Sequence, residues 1–140
     1  MRLLLDTHAL LWWTLDHPRL SRTAYRAIAD TASLVNVSTV PAFELTTKHR
    51  LGKLAIAEPL LADLSGYLVE QGFATLSLDM ASAQLAGRLP GPHRDPFDCL
   101  LVAQAITADL ALVSNEVTFE TRARSAVMAW ATRRQSNGSR

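Results

Sequence analysis

The sequence predicts one three-layer α/β/α domain with a mainly parallel central sheet. Three observations predict it: short apolar runs, unbroken at residues 2–5 and 110–113, helical apolar periodicity between the runs, and an acid or hydroxyl residue where each run ends. Unbroken rather than alternating apolarity marks a strand covered on both faces, and in α/β domains the connecting helices supply that cover. At 140 residues the chain is long enough to bury one sizeable core.

Taken in order, residues 2–5 form the first strand, ending at Asp6, and residues 7–13 open a helix. After the turn at His17-Pro18 a second helix over 21–30 turns Ala24, Ala27 and Ile28 inward. Residues 34–37 make the second strand. Ser38 and Thr39 can then cap a helix from about 40 to 50, where Pro41 is tolerated in the first turn and Gly52 stops the run. Leu60, Leu61, Leu64, Leu68 and Val69 recur at helical spacing, predicting one amphipathic helix over 59–70. A third strand over 73–78 leads to Asp79, which caps a helix running to Leu89, and Pro90-Gly-Pro92 forms a loop. Asp95 before Pro96 is a natural N-cap, opening a helix to about Ala108, and residues 110–113 give a fourth strand. Residues 118–124 read as a short helix or loop, and 127–130 as a final edge strand. The domain spans 1–131, and the polar, arginine-bearing tail 132–140 is expected to be disordered.

Composition narrows the function classes. With 49% hydrophobic and 19% charged residues the chain is expected to be soluble and folded, and no apolar run reaches membrane-spanning length. The formal net charge of +1 neither requires nor forbids a nucleic-acid partner. One cysteine, Cys99, excludes an internal disulfide and a cysteine-cluster zinc site, in keeping with a reducing cytoplasm. The start Met1-Arg-Leu-Leu-Leu is cut short by Asp6 and His8, so it reads as mature sequence rather than a signal peptide. There is no Walker loop, no Rossmann glycine fingerprint and no Gly-x-Ser-x-Gly.

What remains is a set of acids: Asp6 after strand one, Glu44 on the helix after strand two, Asp95 and Asp98 opening a late helix, and Glu116 after strand four. Each has a plain structural reading. Asp6 and Asp95 can be caps, Asp98 at N3 complements the helix dipole, and Glu44 can pair with Lys48 one turn on. Yet in an open α/β sheet all five can converge at the carboxyl edge, where ligands collect. Carboxylates gathered there repel one another unless protons or a cation neutralise them, and hard oxygen donors favour Mg²⁺ or Mn²⁺. Such a site suits phosphodiester hydrolysis. His8 and His93 stand beside these acids and read as structural or substrate contacts. The basic turn Lys48-His-Arg-Leu-Gly-Lys53 is either a solvated helix end or a phosphate contact.

Three segments in this order resemble a known family. They are Leu-Leu-Leu-Asp6-Thr-His8-Ala-Leu-Leu-Trp-Trp, then Phe43-Glu44-Leu with Lys48-His-Arg-Leu-Gly-Lys-Leu54, then Gly-Pro-His-Arg-Asp95-Pro-Phe-Asp98. The chain is similar over nearly its whole length to the PIN domains, and within them to the VapC-like ribonuclease toxins of type II toxin–antitoxin pairs. The resemblance implies a PIN-like fold, Mg²⁺-dependent RNA cleavage with Mn²⁺ as a substitute, and inhibition by a cognate VapB-like antitoxin. It matches Asp6, Glu44 and Asp98 to the three family acids and favours Asp98 over Asp95 as a metal ligand. Asp95 then stays a cap or a supporting group. Thr7 and Ser114 can orient the site, and Lys48, Arg50 and Arg94 can meet phosphates.

The chain departs from the family at one point. Where many members carry Thr-x-Asp after the fourth strand, it has Ser114-Asn115-Glu116, so the fourth acid is longer by a methylene. The alternative is a PIN-like module that binds RNA or protein without cutting. A phosphoaspartyl enzyme is disfavoured, because His8 stands where a second aspartate would be expected. Trp12, Trp13 and the leucine stripes read as exposed apolar surface, from which a homodimer is expected.

Overall fold

The computed structural model describes residues 1–54, 58–89 and 95–114. Among them are four strands, β1 (Arg2–Leu5), β2 (Leu34–Ser38), β3 (Ala74–Leu76) and β4 (Ala111–Val113). They form one sheet in the order β3-β2-β1-β4, with every pair parallel. The expected parallel sheet is therefore present. Seven helices connect the strands: α1 (Thr7–Leu15), α2 (Arg22–Ala29), α3 (Thr39–Arg50), α4 (Glu58–Ala62), α5 (Leu64–Gln71), α6 (Met80–Arg88) and α7 (Pro96–Thr107).

β1 is the central strand, and its side chains show why its apolar run is unbroken. Leu3 and Leu5 enter one core with Leu10, Val37, Leu45 and Leu68, while Leu4 enters the other with Val40, Leu101, Val102 and Leu112. Successive strand side chains point to opposite faces, so a strand with a core on each side needs apolar residues at every position. Three layers follow. Truncating any of these leucines to alanine would cost about 2–5 kcal/mol.

Pairing runs one residue past β1, since the Asp6 N–H donates to the Val113 carbonyl at 2.9 Å. Asp6 and Ser114 thus stand on neighbouring strands at the carboxyl edge. Beside β1, the end of β2 passes directly into α3, where Ser38 is both the last strand residue and the helix N-cap.

The structure corrects three expectations. Residues 59–70 are not one helix: α4 ends at Ala62, and α5 starts anew after Asp63, whose side chain accepts from the Gly66 N–H at 3.0 Å. Aspartate competes for backbone donors in this way, and here it breaks a helix that the leucine spacing alone would continue. β3 keeps only three of the six expected residues. Trp12 is buried, between the rings of His8 and His17, and Trp13 is half-buried, its Nε1 donating to Gln71 Oε1 at 3.0 Å. The exposed apolar side chains are instead Phe43, Leu78, Met80 and others scattered along the surface.

Among the described residues no helix is long and apolar enough to cross a membrane. The loop at 90–92, the segment 118–124, the strand expected at 127–130 and the tail 132–140 lie outside the described residues.

Candidate active site

Asp6 fulfils both of its readings. It ends β1 and caps α1, its Oδ1 accepting from the Ala9 N–H at 2.7 Å. It is also buried, and burial pushes its carboxyl up to about 7 from an ordinary value of 3.8. The negative charges of Asp98 and Glu44 add to the rise, while the Ala9 and His8 amides oppose it. A capping aspartate with no other task would face the opposite way energetically, as Asp79 does: fully exposed, it is held below the usual range by Ser82.

Glu44 comes from α3. Phe43 is 64% exposed and Glu44 only 4%, so the helix turns its aromatic residue to solvent and its carboxylate inward. The Lys48 ammonium lies 3.5 Å from Glu44 Oε2, the one-turn pairing that the spacing allows. This pair is not simply a surface bridge, because its acid is buried.

Asp98 stands on the first turn of α7, one side open to solvent. Partial burial raises its pKa, followed by the charges of Asp95 and then Glu44, whereas His8 and Lys48 draw it down. Asp95 is the exposed N-cap of α7, with Oδ1 accepting from the Phe97 N–H at 2.8 Å. Three elements that are distant in the chain therefore bring Asp6, Glu44 and Asp98 within electrostatic reach of one another, with His8 and Lys48 opposing the rise at Asp98.

Of the other candidates, Thr7 is buried beside Asp6, and its Oγ1 has no hydrogen-bond partner among the described residues. Ser114 is buried at the end of β4. Arg50 ends α3, exposed, six residues beyond Glu44. His93, Arg94 and Glu116 lie outside the described residues.

Two buried polar residues behind the acids escaped the sequence reading. Ser38 was legible only as a helix cap, and Gln104 was hidden in the apolar run of α7. The signal for Gln104 was available: an amide on the inward face of Leu-Leu-Val-Ala-Gln-Ala-Ile needs a buried partner.

Comparison with known proteins gives this arrangement its family. The PIN domain family matches residues 3–124. The chain belongs to the PIN domain family. This PIN domain is 31% identical over 116 residues to Ribonuclease VapC22 of Mycobacterium tuberculosis (strain ATCC 25618 / H37Rv), covering 81% of this chain and 85% of that one. It also shares its fold with a chain in the crystal structure of VapBC2 from Rickettsia felis bound to a DNA fragment from their promoter. There the TM-score is 0.62 at 19% identity, covering 86% of this chain and 92% of that chain. The PIN domain described here is VapC-like.

The donor chemistry of the site suits a divalent cation. Its acids offer only hard oxygen atoms, neighbouring negative charges raise the pKa values of Asp6 and Asp98, and beside them lies the Thr7 hydroxyl, which has no partner among the described residues. Among the described residues no three acid, histidine or cysteine side chains are drawn tightly around one point.

Proposed function

We propose that this chain is a divalent-cation-dependent endoribonuclease toxin that hydrolyses RNA phosphodiester bonds and is restrained by a VapB-like antitoxin. The observation that carries the reading is the convergence of Asp6, Glu44 and Asp98 from three separate elements at the carboxyl edge of a parallel sheet. The name of its relative Ribonuclease VapC22 supports the choice of RNA.

In this reading Asp6 and Asp98 hold Mg²⁺, or Mn²⁺ in its place, and Glu44 helps to position the ion or the attacking water. Glu116 and Asp95 are additional oxygen donors, and the longer reach of Glu116 favours contact through water. When bound, the cation stabilises charge on the phosphoryl oxygens and makes water a stronger nucleophile. The water oxygen bonds to phosphorus, the bond from phosphorus to one ribose oxygen breaks, and that oxygen leaves with a proton. Thr7 and Ser114 offer hydroxyl groups at the sheet edge for orienting the phosphate. Lys48, Arg50 and Arg94 meet flanking phosphates, which fixes the strand without reading its bases. The metal-free site needs its acids deprotonated before it can bind, so cation affinity rises with pH through about 7, where Asp6 titrates.

The direct test is cleavage of a mixed tRNA and rRNA pool with Mg²⁺ and with excess chelator, using wild type and Asp98→Asn purified identically. Cutting by wild type alone, and only with metal, is expected. RNA or protein binding without any cutting would turn the reading to a binding module.

The partners follow from the same site. An acid set short of cations is complementary to a basic side chain, so an antitoxin segment presenting Arg or Lys would neutralise the site while covering it. A homodimer is the second partner. Its surface is not the tryptophans but the face where exposed Phe43 and Leu78 line a groove of about 280 Å³ with Thr39, Val40, Phe97 and Leu100; Met80 is exposed two residues beyond. Light scattering at micromolar concentration is expected to give the dimer mass, and Leu78→Glu the monomer mass. A monomeric wild type would remove the dimer from the reading. The chain is expected to act in the cytoplasm, where RNA and a reduced Cys99 are at hand.

A further inference from the structure

The two acid-bearing helices, α3 and α7, are tied together by a contact that neither acid makes. Ser38 Oγ accepts from the Val40 N–H at 3.0 Å, capping α3, and donates to Oε1 of Gln104 on α7. Both residues are buried, at 2% and 1% exposure, and Gln104 Nε2 has no partner among the described residues. Glu44 lies six residues after Ser38 on α3, and Asp98 six residues before Gln104 on α7, a rise of about 9 Å in each helix. Beside the acids the rings of Phe43 and Phe97 meet, with centroids 5.8 Å apart.

These contacts fix a register. The helices pass each other in opposite senses: from the Ser38–Gln104 contact, six residues forward along α3 reach Glu44 and six residues back along α7 reach Asp98, on which the Glu44 charge acts. The ring contact is half on the surface and can slide, whereas the Ser38–Gln104 bond is buried and directional. A one-residue slip of either helix would turn its acid by about 100° and move it about 1.5 Å. Packing alone does not call for glutamine here. Its neighbours Val102, Ala103 and Ala105 are buried and apolar, and an apolar side chain would leave no amide nitrogen without a partner.

We propose that Ser38 and Gln104 are a positioning pair whose hydrogen bond sets the register of α3 against α7, and with it the spacing of Glu44 and Asp98. Neither residue touches the substrate. The inference rests on the reading of those acids as a cation site, and it assigns the cost of burying an amide to the geometry of that site rather than to stability.

Gln104→Met separates the two roles, because it keeps volume and removes the unpartnered nitrogen. Its melting temperature is expected to equal or exceed that of wild type, while Mn²⁺ affinity, measured by titration calorimetry, falls about 10-fold or more. Ser38→Gly loses both bonds of Oγ, but glycine is a tolerated N-cap residue, so little stability goes with them while the Mn²⁺ affinity should match that fall. Ser38→Thr keeps the hydroxyl and should bind Mn²⁺ as wild type does. The double variant Ser38→Gly with Gln104→Met should be no weaker than either single one, since the bond can be lost only once. Wild-type Mn²⁺ affinity in Gln104→Met would overturn the inference and leave the cation reading intact. So would parallel losses of melting temperature and affinity across all three single variants, which mark a merely structural contact. A wild type that binds no Mn²⁺ at any pH would overturn both.

Discussion

Asp6→Asn is expected to abolish RNA cleavage and, at the same time, to make the metal-free protein more stable at pH 8. The two effects have one cause. In the folded protein the Asp6 carboxyl is pushed up to about 7 by burial and by the charges of Asp98 and Glu44, whereas in the unfolded chain it returns to about 3.8. The folded state therefore holds its proton more tightly. The stability contributed by protonated Asp6 is fully present below pH 3.8 and is lost as pH rises through about 7. Above pH 7 the wild-type fold carries a buried carboxylate, a penalty on the order of 4 kcal/mol. Asparagine removes the charge at nearly constant shape and caps a helix as well as aspartate does, so the bond to the Ala9 N–H survives.

Thermal melts across pH 4 to 8, with the metal removed, check the sign. The variant should exceed wild type by on the order of 10 °C at pH 8, and the gap should close toward pH 4. Millimolar Mg²⁺ or Mn²⁺ should narrow it at pH 8, because a ligand that binds only the folded wild type stabilises wild type alone. A variant less stable than wild type at pH 8 without metal would mean that the Asp6 carboxylate is compensated by groups within the protein. Undiminished cleavage by a cleanly purified variant would remove Asp6 from the chemistry.

The features legible in the sequence were those set by near neighbours. The strand β1 was readable because Leu3, Leu4 and Leu5 serve two cores at once, and only a doubly covered strand needs such a run. Caps were readable because Asp6, Ser38, Asp79 and Asp95 each bond an amide two or three residues ahead. Asp63 broke the rule in the other direction: it does the same inside a leucine stripe, and periodicity outweighed it in the reading. The tryptophans misled because adjacency says nothing of depth. Trp12 enters the core, and Trp13 lies at its border against Tyr25 and Phe73.

At the candidate site, the acids themselves were legible as residues at strand ends and helix starts, but their coupling was not. That Glu44 is buried while Phe43 is exposed depends on how α3 packs against α7, which no local pattern reports. The Ser38–Gln104 bond spans 66 residues and was invisible for the same reason.

The sequence favoured Asp98 but left open whether Asp95 is a ligand or only a helix cap, and the second large effect separates them. Asp98→Asn is expected to lower kcat by more than about 100-fold, beyond what the loss of a supporting group around a metal site costs. Asp95→Asn should keep kcat within a few-fold of wild type, since asparagine retains the cap to the Phe97 N–H. The charge of Asp95 is nonetheless felt: after burial, it is the largest contribution raising the Asp98 pKa. Removing that charge lowers the Asp98 pKa toward its ordinary value, so the carboxylate forms at lower pH. The acid limb of the pH–rate profile should nonetheless stay where it is, because Asp6, pushed up to about 7, sets it in both proteins. Asp95→Ala adds a structural cost of about 1 kcal/mol for the lost cap, visible as a lower melting temperature with little change in kcat. If instead Asp95→Asn proved as inactive as Asp98→Asn, the cap would have to be a ligand as well, and the two acids that open α7 would act as one unit.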